Sequence, residues 1–283
     1  MVGCVGATEK FASFDDPAVV DRVLREYLRR SDHTAWSPYQ FFSGDADPLD
    51  PEALTDTEVS ALKTVLFVED HLPAYVAEHL RFFGDHCASD ARQTLDRKML
   101  RFTFRWAAEE DRHSHVLEMY LLRSGRVKRK ELEADLLRER RTTYRFPYRS
   151  AIETCVYLAL QERATHLYYA AFARDVREPL LSSILHRMAA DEASHAAFFY
   201  DLLLRPENDL DALAAAVRTV AREFKMPVQR NLLKYRAQIA ALMRSAPSYR
   251  HADVFAHMLR ALDRSARTNG RGSLELIGAV SSR

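Results

Sequence analysis

The chain has 283 residues, of which 47% are hydrophobic, and 41 Lys and Arg against 40 Asp and Glu give it a net charge of +1. This near balance excludes a global field that would attract nucleic acid or a lipid surface, and no uncharged apolar run is long enough for a membrane span. Three widely spaced cysteines without a C-x-x-C pattern, and a start that lacks the regions of a signal peptide, favour a soluble protein of the reducing cytoplasm.

Helical periodicity dominates the sequence, so we predict a single all-α domain over residues 1–283. The segment 1–54 is predicted to contain a first helix over Pro17–Arg30 and then a loop with several prolines, which includes Trp36. A long amphipathic helix follows over Thr55–Phe83, and its first residues, TDTE, have the pattern of a capping box.

Further long helices are predicted over Ser89–Ser124, Ala151–Arg174 and Pro179–Leu204. With the preceding helix they form a core of four helices over residues 55–204. Prolines divide residues 205–266 into three more helices, and residues 267–283 are expected to be a mobile tail.

One segment has a strong local excess of positive charge. Between Arg126 and Arg149 there are nine Lys or Arg against four acidic residues, on a predicted short helix and the loop after it. This surface could bind an acidic partner, or it could be a solvated helix face with internal ion pairs. A second basic stretch contains Arg218, Arg222, Lys225, Arg230 and Lys234 at roughly helical spacing.

Two helices contain a Glu and a His three residues apart, Glu110 with His113 and Glu192 with His195. Residues at this spacing share a helix face, so each pair can chelate one metal ion. A single Glu-x-x-His pair is weak support for a metal site, since roughly 0.7 such pairs would occur by chance in a chain of this composition. Both pairs, however, lie among large apolar residues, where an unpaired carboxylate costs several kcal/mol.

Two single carboxylates complete a repeated pattern. Glu69 precedes the first Glu-x-x-His helix and Glu162 precedes the second. Four helices that supply Glu, Glu with His, Glu, and Glu with His form the ligand set for two carboxylate-bridged iron or manganese ions. Oxygen-rich ligation with one imidazole per metal suits iron better than structural zinc. The alternative is a set of ordinary buried pairs, with Arg112 and Arg163 as partners.

The four stretches VEDHLPAY, WAAEEDRH, LALQERAT and AADEASH resemble the metal-helix motifs of the soluble acyl-acyl carrier protein desaturases. The resemblance extends from about Trp36 to Pro227. It implies a ferritin-like four-helix bundle with a di-iron carboxylate centre and flanking helices, in which Glu110 and Glu192 bridge the metals. The implied ligands are Glu69, Glu110, His113, Glu162, Glu192 and His195.

The same resemblance assigns roles to three further residues. The stretch AWSPYQFF makes Trp36 the start of an electron route to the metals through Asp191 and His113, and a ligating imidazole commonly donates its second N–H to a carboxylate. Thr165, one turn from Glu162, could supply a proton to bound oxygen. Alternatively, Trp36 only packs and the Thr165 hydroxyl bonds to a helix carbonyl.

The resemblance implies an O2-dependent desaturase that introduces a double bond into an acyl chain on acyl carrier protein. It further implies two Fe ions per chain that cycle between Fe2+ and Fe3+, a ferredoxin-like electron donor and a homodimer. A di-iron hydroxylase and a ferritin-like iron-binding protein stay open as alternatives. His166 departs from the family, which tends to have Phe there, and its i, i+4 offset from Glu162 could direct it toward the site.

Overall fold

The computed structural model describes residues 16–43, 49–84, 90–205, 208–227, 232–233 and 235–268. Within these ranges all regular structure is helical, which confirms the predicted all-α class. Two short 3-10 helices, Pro38–Phe42 and Pro51–Ala53, lie in the loop that contains Trp36. The α-helices are α1 (Pro17–His33), α2 (Asp56–Glu69), α3 (Leu72–Phe83), α4 (Asp90–Arg123), α5 (Arg129–Glu139), α6 (Ala151–Asp175), α7 (Pro179–Leu203), α8 (Leu210–Glu223), α9 (Tyr235–Ser245) and α10 (Ala252–Thr268).

The helix predicted over Thr55–Phe83 is interrupted, so the prediction of one continuous helix is wrong there. Helix α2 ends at Glu69 and α3 begins at Leu72. Pro73 explains the break, because proline lacks an N–H and its ring would clash with the carbonyl four residues earlier, here that of Glu69. The interruption places Glu69 at a helix C-terminus.

Helix starts and stops follow local sequence signals. The Thr55 hydroxyl accepts the N–H of Glu58 at 3.2 Å, and the Glu58 carboxylate accepts the Thr55 N–H at 2.7 Å, which confirms the predicted capping box. After α4, Gly125 has a φ of 69°, a left-handed conformation that glycine adopts without strain.

The core helices pack pairwise around one centre. Helices α6 and α7 pack along most of their length, α4 contacts α2, α3 and α7, and α1 lies across α4 and α7. Helix α9 covers α2. The bundle therefore consists of α2 with α3, α4, α6 and α7, and α1 closes one side of it.

Two apolar clusters occupy this bundle. The first includes Phe102 and Trp106 of α4 with Phe198 of α7, and the second includes Leu117 of α4 with Met188 of α7. On α4 the two clusters are separated by residues 107–115, and on α7 by residues 190–195. The buried polar residues of the chain's two Glu-x-x-His pairs lie in this intervening layer.

The predicted C-terminal helices are present as α8, α9 and α10. The first two residues of the predicted tail, Arg267 and Thr268, complete α10, and residues 269–283 lie outside the described part of the chain. Cys155 is buried, and burial raises the pKa of its thiol to about 12, so it is protonated and unreactive at neutral pH. In the described ranges no helix combines the length and apolarity that a membrane crossing requires.

Candidate metal centre

The six acidic and imidazole side chains predicted as ligands converge in the layer between the two apolar clusters. One group comprises Glu69, Glu110, His113 and Glu192, and the other comprises Glu110, Glu162, Glu192 and His195. Within each group the candidate ligand atoms lie within 4.8 Å of one another, and all six residues are buried. Glu110 and Glu192 belong to both groups, which is the arrangement that bridging carboxylates require.

In the first group, the imidazole of His113 faces three carboxylates. Its Nδ1 lies 3.3 Å from an oxygen of Glu192, 3.5 Å from one of Glu110 and 3.9 Å from one of Glu69. A metal ion placed among these atoms would have one nitrogen and several oxygen ligands.

The second group repeats this arrangement. The Nδ1 of His195 lies 3.1 Å from an oxygen of Glu110, 3.5 Å from one of Glu162 and 3.6 Å from one of Glu192. Each half of the site thus has one imidazole and one carboxylate of its own, and the halves share two carboxylates.

Three atoms at this centre are buried without a hydrogen-bond partner: the Nδ1 atoms of His113 and His195, and Oε1 of Glu110. Buried polar atoms nearly always have a partner, so these three require a group that accepts their lone pairs. Four carboxylates balance the charge of two divalent cations, and the mixture of carboxylate oxygen and imidazole nitrogen suits iron or manganese. The residues present therefore fit a pair of such ions.

The raised pKa values of two of these carboxylates also indicate a site for cations. Burial raises the pKa of Glu69 well above its usual value, and repulsion from Glu110 adds to the effect. Burial likewise raises the pKa of Glu162, with a contribution from Glu192. Without cations the cluster therefore retains protons, and metal binding would displace them.

The outer nitrogen of His113 contacts the carboxylate that the sequence indicates. Its Nε2 lies 3.3 Å from Oδ2 of Asp191, and the indole Nε1–H of Trp36 donates to the same oxygen at 2.7 Å. The Trp36 ring is buried and stacks near the imidazole, with centroids 6.2 Å apart and an interplanar angle of 18°. A continuous path of contacts joins Trp36 to His113, and its role in electron transfer stays a prediction.

The outer nitrogen of His195 contacts Glu109, which our sequence analysis missed. The Nε2 of His195 lies 2.8 Å from Oε2 of Glu109. The signal was available, because both motifs have an acidic residue directly before the Glu of Glu-x-x-His: Glu109 precedes Glu110 as Asp191 precedes Glu192. Each of these carboxylates contacts the imidazole of the opposite helix.

Arg112 is not a partner of the proposed ligands. Its guanidinium lies 3.5 Å from Asp191 and 3.9 Å from Glu109, and it sits over the Trp36 ring at 5.4 Å. Arg112 therefore contributes positive charge outside the centre, beside the two carboxylates that hold the imidazoles.

A buried tyrosine, Tyr169, donates its hydroxyl to the carboxylate of Glu69. It lies on the same face of α6 as Glu162, seven residues away, so helical spacing alone places it beside the centre. This hydrogen bond fixes one oxygen of Glu69 at the end of α2.

Two other residues of α6 make backbone contacts instead. The Thr165 hydroxyl donates to the carbonyl of Gln161 at 3.1 Å, as helical threonines commonly do, and its role as a proton donor stays a prediction. The imidazole of His166 is half-buried, and its Nδ1–H donates to the carbonyl of Ala189 at 2.7 Å. His166 thus joins α6 to α7 rather than to the carboxylate cluster.

Comparison with known proteins identifies similar chains. A family model described as fatty acid desaturase matches residues 23–264. Acyl-acyl-carrier-protein desaturase 7, chloroplastic, of Oryza sativa subsp. indica is 30% identical over 243 residues, which cover 78% of this chain and 52% of that protein. DesA2 of Mycobacterium tuberculosis, also named as an acyl-acyl-carrier-protein desaturase, is 28% identical over 166 residues, covering 58% of this chain and 56% of DesA2. The chain spans about half the length of these curated relatives.

The X-ray structure of the acyl-ACP desaturase DesA2 from Mycobacterium tuberculosis superposes on this chain with a TM-score of 0.54. The superposition covers 92% of this chain and 97% of that one, at 19% sequence identity. At this identity the likeness concerns the fold alone, and it extends over nearly the whole chain.

Proposed function

The chain belongs to the acyl-acyl carrier protein desaturase family, and we propose that it is an oxygen-dependent desaturase that introduces a double bond into an acyl chain held on acyl carrier protein. The family membership confirms the resemblance that the four metal-helix motifs indicate. The names of the rice and mycobacterial relatives support a carrier-bound acyl substrate.

One observation supports the proposal above all: two buried ligand groups share Glu110 and Glu192, and the inward nitrogen of each imidazole has no hydrogen-bond partner. We assign Glu69 and His113 to one iron ion, Glu162 and His195 to the other, and the shared pair to the bridge. When bound, two iron ions with O2 supply the oxidising power that removal of two hydrogens from an unactivated methylene pair requires.

The protein's own part is to position groups and to exclude water. The two apolar clusters enclose the polar layer on both sides, so the residues that would hold the metal ions are separated from solvent. Asp191 fixes the orientation of His113, and Trp36 extends this contact outward to the loop before α2. We propose that electrons from a ferredoxin-like donor enter along this path.

The first test is metal content combined with product analysis. Purified protein loaded with iron under anaerobic conditions should contain two ions per chain and show the Mössbauer signature of a coupled pair. With acylated carrier protein, reduced ferredoxin and O2, the product should be two hydrogens lighter than the substrate. Glu110→Ala and Glu192→Ala should both lose the coupled signature, because each removes a shared ligand.

The alternatives give different results in the same assay. A product that gains one oxygen atom would indicate a hydroxylase, and oxygen consumption with iron uptake but no altered acyl chain would indicate an iron-binding protein. One metal per chain, or zinc without an oxygen-dependent absorption band, would contradict the di-iron assignment.

A further inference from the structure

We propose that Glu109 is the positioning residue for His195, and that helix α1 holds Glu109 in place through Tyr27 and Ser31. The proposal rests on the proposed function, since it takes His195 as a ligand of one metal ion. It adds a role for α1, which contributes no ligand itself.

The contacts around Glu109 use both of its oxygens. Oε2 accepts the Tyr27 hydroxyl at 2.6 Å and lies 2.8 Å from Nε2 of His195, and Oε1 accepts the hydroxyl of Ser31. All four residues are buried, and the three partners come from two other helices, α1 and α7. A carboxylate bound from three directions has one orientation, so the imidazole that it contacts has one orientation as well.

This contact also sets the tautomer of His195. Glu109 is an acceptor and both hydroxyls already donate to it, so Nε2 of His195 must be the donor. The lone pair of Nδ1 then points toward Glu110 and Glu162, where that nitrogen has no hydrogen-bond partner. Glu109 thus leaves Nδ1 of the neutral imidazole as the nitrogen that can bind a metal ion.

The two halves of the centre differ in how they are supported. Asp191, the counterpart of Glu109, accepts an indole N–H from Trp36 and lies 3.5 Å from the Arg112 guanidinium. Glu109 accepts two hydroxyls from α1, and Arg112 is more distant, at 3.9 Å. Since the supports differ, changes at Glu109 should affect the His195 half alone, and changes at Asp191 the His113 half alone.

The test uses cobalt(II), a paramagnetic stand-in for iron(II), titrated into the full chain under anaerobic conditions. In wild-type protein, proton NMR should show two strongly shifted, solvent-exchangeable imidazole N–H signals, one from each ligating histidine. Glu109→Ala should abolish or strongly shift one signal and weaken binding of one ion by about 10–100-fold. Asp191→Ala should change the other signal.

Milder variants separate positioning from general damage. Tyr27→Phe leaves Glu109 in contact with His195 but removes one hydrogen bond, so it should shift the same signal as Glu109→Ala with a smaller loss of affinity. Glu109→Gln keeps an acceptor and should retain intermediate affinity. Glu118→Ala, on the same helix but at the surface, should leave both signals and both affinities unchanged.

The outcomes distinguish this proposal from the proposed function. If wild-type protein binds fewer than two cobalt ions, the di-metal function fails and this inference fails with it. If wild type binds two ions but Glu109→Ala and Tyr27→Phe leave both N–H signals and both affinities unaltered, only the role of Glu109 is wrong. Should Glu109→Ala lose its helical circular dichroism, Tyr27→Phe decides the question.

Discussion

A buried histidine outside the metal centre, His79, provides a test of how burial controls protonation. Its Nδ1–H donates to the hydroxyl of Thr103 at 3.0 Å, and its ring stacks on Trp106 with centroids 5.0 Å apart. Burial lowers the pKa of His79 to about 3. In the unfolded chain a histidine takes up its proton near pH 6.5.

His79 should therefore make the metal-free protein less stable in acid. Below pH 6.5 the unfolded state binds one proton more than the folded state, so the stability present above pH 6.5 is lost as the pH falls toward 3. The expected slope is up to about 1.4 kcal/mol per pH unit from this residue alone. Urea unfolding at several pH values would measure it.

His79→Phe should flatten this slope, because the ring still packs on Trp106 and no longer titrates. Thr103→Val is the matched control, since it removes the hydrogen bond but keeps the imidazole, and it should lower stability at all pH values without changing the slope. An unchanged slope in His79→Phe would show that other groups cause the acid sensitivity.

Trp36 gives a second prediction at this scale. Trp36→Phe keeps an aromatic ring beside His113 but removes the N–H that Asp191 accepts at 2.7 Å. We expect turnover with the ferredoxin-like donor to fall by roughly tenfold or more, since a lost hydrogen bond to a charged group costs about 1.5–3 kcal/mol. Iron content should stay at two per chain.

The control for Trp36→Phe is a single turnover of chemically reduced protein. If Trp36 acts in electron entry, this reaction should proceed at the wild-type rate in the variant. If the single turnover slows as much as the donor-dependent reaction, Trp36 positions His113 and does not conduct electrons.

At the scale of elements, local signals in the sequence predicted most helix ends. The capping box at Thr55 and the stop at Gly125 depend on neighbouring residues only, so they can be recognised in an isolated stretch. The break before Pro73 was missed because the apolar periodicity of α2 continues into α3. Proline is also common in the first turn of a helix, so its presence did not by itself show where one helix ended.

Contacts between distant elements were harder to predict. The bond from Tyr27 to Glu109 joins residues 82 positions apart. The periodicity of α1 indicates which of its faces is buried, but it does not indicate that this face meets α4. The ligands themselves were predictable because Glu-x-x-His is a local pattern that occurs twice. Residues that support a ligand belong to the packing of helices, which one sequence does not specify.

The capping box gives a prediction about α2. Thr55→Ala removes the acceptor for the Glu58 N–H and should lower the free energy of unfolding by about 1 kcal/mol, measured by urea denaturation. Metal content should not change, because Glu69 lies at the other end of the helix. Ser60→Ala, at an exposed position within α2, is the control and should be neutral or slightly stabilising. Equal losses in both variants would contradict the capping role.

At the scale of the whole molecule, the polar layer divides the apolar interior into two clusters. Burying four carboxylates in such a layer without cations is costly, which accounts for the raised pKa of Glu69 and Glu162. Metal binding would therefore stabilise the fold as well as supply chemistry, and the gain should be measurable as a higher Tm at increasing iron(II) concentration.

Most cations of the basic segment between Arg126 and Arg149 are already paired with acidic residues of the same chain. Arg140 binds the carboxylate of Asp70 through two nitrogens, each at 2.7 Å, and Arg145 lies 3.1 Å from Glu78. Several other cations of the segment also have acidic neighbours, namely Arg126, Lys128, Arg129 and Arg138. Internal pairing leaves Lys130, Arg141 and Arg149 as exposed cations suited to contact an acidic partner.

The structure also determines which residues can test carrier binding. Asp70 follows Glu69 directly, so reversing the charge of Arg140 would place two like charges beside a proposed ligand and confuse docking with metal loading. The suitable variant reverses Lys130, Arg141 and Arg149 to Glu. The competing surface is represented by Arg218, Arg222 and Lys225, which are exposed, whereas Arg230 and Lys234 lie outside the described residues.

If the first surface docks acyl carrier protein, the Lys130, Arg141 and Arg149 reversal should raise KM for the acylated carrier by about tenfold or more at low salt. Opposite charges raise the encounter rate between partners, and this effect is screened by salt, so the difference from wild type should shrink at high ionic strength. Iron content and helicity should be unchanged, since exposed charges shift stability little. Steady-state kinetics of both reversal variants at two ionic strengths would measure this. If KM rises only in the Arg218, Arg222 and Lys225 variant, the docking surface lies on α8 and the loop after it. If KM is unchanged in both variants, the result would contradict the proposal that the substrate is carried by an acidic carrier protein.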